Sequence, residues 1–290
     1  MLLDLIDVFA GVPLGGNPLA VVRGTPDKMA ALDTAGMQRM TDWLGFSETT
    51  FLLPPSDPQA DYRVRIFCPG RELAFAGHPT LGSARAWLAA GGVAKRAGVV
   101  VQECGIGLVE VRVDAAAEGE RLAFRAPPLR RSGPLSAAER AEAAQRAGVD
   151  PRVILDAVHA DNGPEWVLLR LRSAADVLAA RPEARAPVPC DIGLVGPHAV
   201  GEAEEWPADW EVRAFFADGA GRLKEDPVTG SLNAGIALYL YGAGLATADY
   251  VAAQGRCVGA TGRIHVSRDD DGAAWIGGVA RVVARNAAVG

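Results

Sequence analysis

A gapless shift of 148 residues lays one stretch of this chain over another. Asp61, Val64, Arg65, Phe67, Pro79, Gly82, Ser83, Ala86 and Ala89 then fall on Asp209, Val212, Arg213, Phe215, Pro227, Gly230, Ser231, Ala234 and Ala237. The matches keep their order around one strand–loop–helix unit. The shift is close to half of the 290 residues. The repeat therefore predicts two domains of the same fold, each built on this unit.

Local patterns fill in the unit. DYRVRIF (61–67) and DWEVRAFF (209–216) alternate polar and apolar residues, as half-buried strands do. PTLGSARAWLAAGG (79–92) and VTGSLNAGIALYLYGAG (228–244) read as buried helices that stop at glycine. Outer helices are expected over 27–44, 136–147 and 173–180, among many short strands. That mixture predicts an α+β fold of two pseudo-symmetric domains, each a rolled sheet or barrel around a central helix. The domains are expected at 1–126 and 127–290, with the last strand packing back on the first. The Pro- and Ser-rich stretch APPLRRSGPLS (126–136) marks the boundary. GLVEVRV (107–113) reads as an exposed sheet edge, able to pair between subunits.

Composition narrows the function. A net charge of −6 with no Lys/Arg cluster argues against nucleic acid. It leaves room for a small anion held by local donors. The opening MLLDLIDVFAG carries Asp4 and Asp7 and no basic start, so it does not read as a signal peptide. No uncharged run reaches membrane-spanning length, and no membrane association is expected. Cys68, Cys104, Cys190 and Cys257 are scattered, which suits free thiols in a cytoplasmic protein. His78, His159, His198 and His265 are equally dispersed, so no metal site is expected.

The starts of the two central helices carry the chemistry. FAGHPTLGSA (75–84) and KEDPVTGSLNA (224–234) each place proline and small residues there, and the shift sets His78 on Asp226. Proline suits a first helical turn. Thr80, Thr229 and Ser231 can cap. Gly77, Gly82 and Gly230 permit close approach of a ligand. Helix starts present N–H donors and partial positive charge, so two of them across a domain cleft would hold a carboxylate. Taken singly, each fits an ordinary capped helix. His78 then reads as a buried histidine bonded to backbone, Asp226 as a cap, and Glu225 as a surface charge. The repetition of a titratable residue at both starts favours a site.

GGNPLAVV (15–22), SETTFL (47–52), ELAFAGHPTLGSA (72–84), EDPVTGSLNAGIALYL (225–240) and QGRCVGATGRIHV (254–266) together resemble the phenazine-biosynthesis PhzF-like proteins, in order and across nearly the whole chain. That family is similar in fold to diaminopimelate epimerase and proline racemase. The resemblance implies a homodimeric isomerase that needs no cofactor, with a glutamate as acid and base. The type member moves a proton within 2,3-dihydro-3-hydroxyanthranilate. The matching glutamate here is Glu48, which read alone is equally a turn or surface residue. His78 and Asp226 would orient substrate or relay the proton, and Gly77, Gly230 and Ser231 would bind it. A desolvated Glu48 would have a raised pKa, as such a role requires. The helix starts carry no cysteine, which disfavours the two-thiol chemistry of the racemases. The expected substrate is a small unsaturated or cyclic carboxylic acid. The alternatives are an epimerase, racemase or dehydratase of an amino or hydroxy acid, and a non-catalytic small-anion-binding protein.

Overall fold

A computed structural model describes residues 1–116, 119–199 and 207–289. Its contacts divide the chain into two compact units, Met1–Arg125 with Gly277–Gly290, and Ala126–Ile276. The early elements are β1 (Leu2–Val8), β2 (Asn17–Arg23), α1 (Pro26–Ala30), α2 (Thr34–Leu44), β3 (Thr49–Leu53), β4 (Tyr62–Cys68), β5 (Arg71–Leu73), α3 (Gly77–Ala89), β6 (Val99–Cys104), β7 (Gly107–Ala116) and β8 (Gly119–Arg125). There follow β9 (Arg131–Pro134), α4 (Ala137–Ala147), β10 (Ile154–Asp161), β11 (Val167–Leu171), α5 (Ala174–Ala179), β12 (Asp191–Pro197) and β13 (Trp210–Ala217). The chain ends with β14 (Leu223–Asp226), α6 (Gly230–Gly242), β15 (Tyr250–Gln254), β16 (Gly262–Arg268) and β17 (Ala274–Ala288).

In the first unit the strands pair in the order β17–β1–β2–β3–β4–β6–β7–β8, and β8 pairs back to β17, closing a barrel of eight strands. The β2–β3 and β4–β6 ladders are parallel. Closure leaves no open edge among these strands. β7 is therefore not the exposed edge that GLVEVRV suggested, because it bonds β6 on one side and β8 on the other.

Helix α3 touches β1, β2, β3, β4, β6, β7 and β8. A helix ringed by strands must be apolar or small all round, and Gly77–Ala84 are buried without a break. A Cβ added at Gly82 would stand 2.5 Å from Leu19 Cδ2 and 3.0 Å from Val8 Cγ2, so the helix lies directly on β1 and β2. Its buried hydroxyls are satisfied inside the barrel. Thr80 Oγ1 accepts from Gln102 Nε2 at 3.0 Å, Gln102 Oε1 accepts from Tyr62 at 2.9 Å, and Ser83 donates to Thr50 at 2.9 Å. Outside the barrel, Met29 of α1 and Met37 of α2 cover Val22, Phe51 and Phe67.

The second unit runs β9–β10–β11–β12–β13–β15–β16, again with parallel β11–β12 and β13–β15 ladders. Helix α6 packs on β10, and Leu232 fills the space that Gly193 of β12 leaves open. Helices α4 and α5 cover the other face with Ala143, Ala147 and Val177 against Leu169, Leu194 and Phe215.

The two units repeat one plan, but not at one constant shift. The shift of 148 carries Ile66 onto Ala214, yet their hairpin partners Leu73 and Asp226 stand 153 apart. The β4–β5 hairpin turns after the Cys68–Arg71 pair, whereas the β13–β14 hairpin extends to an Ala217–Leu223 pair. That longer connection absorbs five residues. Gly77 then matches Gly230 as first helical residue, and His78 matches Ser231. Asp226 is thus not the counterpart of His78. It ends β14, where the first unit has Leu73.

Candidate active site

Glu48 enters β3 from the turn after α2, and His78 is the second residue of α3. The strand–helix packing brings Glu48 Oε2 to 3.5 Å from His78 Nε2. His78 is 5 % exposed. Glu48 Oε2 is itself buried and accepts no hydrogen bond among the described residues. Burial therefore pushes the Glu48 carboxyl up from 4.5 to about 7, against the weaker pull of a hydrogen bond from the Ser47 hydroxyl. Ser47 in turn lies 3.4 Å from Asn17 Oδ1, at the start of β2.

That shift ties stability to pH. Between about pH 4.5 and pH 7 the unfolded chain has released the Glu48 proton and the folded chain still holds it, so stability falls as pH rises through this window. The loss is at most about 3 kcal/mol. The side chain keeps 18 % exposure, which moderates it. Glu48→Gln, which does not titrate, is expected to gain stability over the parent chain at about pH 8 and to lose that gain at about pH 4. Urea unfolding at both pH values checks this. A gain of the same size at both pH values would mean that the carboxyl is not raised.

Cys68 ends β4, with Sγ 3.6 Å from the Arg71 carbonyl. Burial, with a smaller contribution from the Glu48 charge, pushes its thiol up, so it stays protonated and is a poor base at neutral pH. All four cysteines are free. Among the described residues no group of three or more His, Cys, Asp or Glu is placed to hold a metal.

In the second unit the centre of the arrangement is Gln254, at the end of β15. Its Oε1 accepts from the Thr229 N–H at 3.1 Å and from Asn233 Nδ2 at 2.9 Å. Its Nε2 donates to the Asp226 carbonyl at 3.1 Å and to Thr229 Oγ1 at 2.9 Å. Thr229 donates its own proton to Asp226 Oδ2. Gly255 follows with φ 99°, and a Cβ there would meet the Pro227 carbonyl at 2.5 Å, so only glycine allows this turn to lie against the 226–229 loop. Ser231 is fixed from another side. Trp166 Nε1 donates to its Oγ at 3.0 Å, and Asn162 Nδ2 donates to its carbonyl at 2.7 Å. With Oγ accepting from Trp166, the Ser231 hydroxyl proton is directed elsewhere.

Three local expectations are corrected by this geometry. Thr80, Thr229 and Ser231 do not cap: α3 and α6 begin at Gly77 and Gly230 with no side-chain cap bond, and the two threonines serve the networks above. Pro79 lies inside the first turn of α3, whereas Pro227 precedes α6. Glu225 is no surface charge, because Arg213 binds it bidentately at 3.1 and 2.7 Å. Other residues of these networks carry little signal in the sequence. Gln254, Gly255 and Asn17 stand in the quoted QGRCVG and GGNP blocks, and that was their only signal. Trp166 and Asn162 lie between recognisable strands and gave none.

Set beside known proteins, residues 6–285 match the family model described as phenazine biosynthesis-like protein, PhzC-PhzF. The chain is 32 % identical to antisense-enhancing sequence 1 of Schizosaccharomyces pombe over 245 residues, 81 % of this chain and 78 % of that protein. It is 49 % identical over 80 residues to the trans-2,3-dihydro-3-hydroxyanthranilate isomerase of Pseudomonas fluorescens, which is 28 % of this chain and 27 % of that enzyme. A solved Pseudomonas aeruginosa structure, described as a predicted epimerase, superposes with a TM-score of 0.77 at 28 % identity, covering 100 % of this chain and 99 % of the other.

Proposed function

The chain belongs to the phenazine biosynthesis-like family and is an isomerase, and we propose that it moves a proton between carbons of a small unsaturated carboxylic acid, with Glu48 as acid and base. The observation that carries this reading is the buried Glu48 carboxyl, raised to about 7 and 3.5 Å from His78 Nε2. A proton on carbon is a weak acid. Its removal needs a base with a pKa near the working pH and a neighbouring double bond to take up the charge. Glu48 as carboxylate takes the proton and becomes the carboxylic acid. It then returns the proton to another carbon of the same molecule, so the double bond moves and the formula is unchanged. A carboxyl poised near neutrality is suited to both halves of that cycle.

His78 is the group placed to orient Glu48 or to pass the proton along. The Gly77 N–H, in the uncapped first turn of α3, is a donor for developing negative charge. In the second unit, Asp226, Gly230 and Ser231 are assigned as ligand contacts. The Trp166 bond leaves the Ser231 proton to donate to an acceptor such as a carboxylate.

Incubation with trans-2,3-dihydro-3-hydroxyanthranilate, the substrate named for the Pseudomonas fluorescens relative, tests the reading when followed by NMR in deuterated water. The expected result is an isomer of unchanged composition, with label at the carbon that gains the proton only in the fraction of turnovers in which protonated Glu48 exchanges with solvent before returning it. Inversion at a stereocentre of an amino or hydroxy acid, with that compound left unchanged, would replace this reading by an epimerase.

A further inference from the structure

We propose that Asn162 is a specificity residue, whose side-chain oxygen accepts a hydrogen bond from an amino or hydroxyl group that the substrate carries close to its carboxylate. The proposal rests on the reading of Ser231 as a carboxylate contact. Asn162 stands in the β10–β11 turn and is 8 % exposed. Gly235 lets α6 lie close on the end of β10, since a Cβ there would meet the Ala160 carbonyl at 3.0 Å. That approach sets the turn alongside the start of α6. Asn162 Nδ2 then donates to the Ser231 carbonyl at 2.7 Å, and Trp166 of the same turn donates to Ser231 Oγ at 3.0 Å.

The other branch of the Asn162 amide is left over. A carbonyl only accepts, so the amide nitrogen must be the branch that faces Ser231 and the oxygen the second one. Asn162 Oδ1 is buried and accepts no hydrogen bond among the described residues. Elsewhere the protein satisfies such oxygens: Gln102 Oε1 accepts from Tyr62, and Gln254 Oε1 accepts from Thr229 and Asn233. Among the described residues, Asn162 Oδ1 is the one buried side-chain amide oxygen without a partner. Buried amide oxygens ordinarily have a donor, and leaving one without costs free energy that a ligand's N–H or O–H recovers.

The acceptor is also held in advance. The Ala160 N–H donates to the Trp166 carbonyl at 2.8 Å across the turn, and the Gly163 N–H donates to Asp161 Oδ1 at 2.9 Å. Little ordering is left for the ligand to impose. Ser231 thus offers a hydroxyl proton, and the amide bonded to it offers an acceptor. Together they suit an acid with a hydrogen-bond donor close to its carboxylate, and they disfavour the same acid with a methyl group there.

Calorimetric titration of the whole chain with anthranilate and with 2-methylbenzoate tests this. The two acids have the same shape and charge, and only anthranilate carries the donor. Neither has a hydrogen on a saturated ring carbon, so binding is read without turnover and independently of Glu48. Anthranilate is expected to bind about fivefold more tightly, the worth of one net hydrogen bond. Asn162→Leu should bring the ratio of the two affinities to about one, and the smaller Asn162→Ala should do the same. A merely structural role would weaken both acids alike and leave the ratio unchanged. Ser231→Ala should weaken both acids and keep the ratio. Equal binding of the two acids by the parent chain, or a preference that survives in both Asn162 variants, would overturn the proposal while leaving the Ser231 reading in place. Saturable binding of neither acid would overturn both.

Discussion

Glu48→Gln is expected to lower turnover by about 10²- to 10⁴-fold, the range that a positioned acid/base contributes, while KM changes little. Glutamine keeps the shape and the buried position but cannot exchange a proton. The effect belongs in kcat because the carboxyl acts on the reacting carbon and is not needed to hold the rest of the ligand. The pH stability experiment on the same variant separates this from misfolding, since Glu48→Gln should be at least as stable as the parent at neutral pH. A variant that turns over at the parental rate would remove Glu48 from the reaction.

Arg213→Ala is expected to cost about 3–5 kcal/mol of stability, because it strands a buried carboxylate. Arg213 and Glu225 keep only 5 % and 8 % side-chain exposure and are joined by two hydrogen bonds. The same guanidinium donates to the Ala180 carbonyl at 2.8 Å and the Val177 carbonyl at 3.3 Å, closing the end of α5. It also lies 4.8 Å over the Phe215 ring. One residue thus ties β13, β14 and α5 together, next to Asp226. Removing both charges by Arg213→Met with Glu225→Leu should cost much less, since no lone charge remains. Denaturant unfolding of the two variants checks this, and a single variant no worse than the double would contradict it.

The elements were legible in the sequence where the physics is local. The strands 61–67 and 209–216 alternate because one side of each packs inward. The central helices read as buried because small and apolar residues continue all round them. Closure of the first barrel was not legible, since β7 looks like an edge until β8 and β17 are seen to pair beyond it. The repeat misaligned His78 with Asp226 for a different reason. A turn lengthens at little cost to either strand, and the longer β13–β14 connection shifts all that follows by five residues. The matches at Pro79, Gly82 and Ser83 were therefore coincidences of small-residue composition, whereas Gly77 and Gly230 are true equivalents. At the candidate site, Glu48 owed its assignment to resemblance alone, because SETT fits any turn before a strand. Its burial and its approach to His78 depend on residues thirty apart in the chain, beyond the reach of local pattern.

As acid and base, Glu48 must exchange its proton near neutral pH. Titration of its side-chain carboxyl by ¹³C NMR tests this most directly, with the resonance identified by its loss in Glu48→Gln. The expected midpoint is about 7. A midpoint at the ordinary glutamate value of about 4.5 would show a solvated carboxylate and contradict the assignment of Glu48 as acid and base.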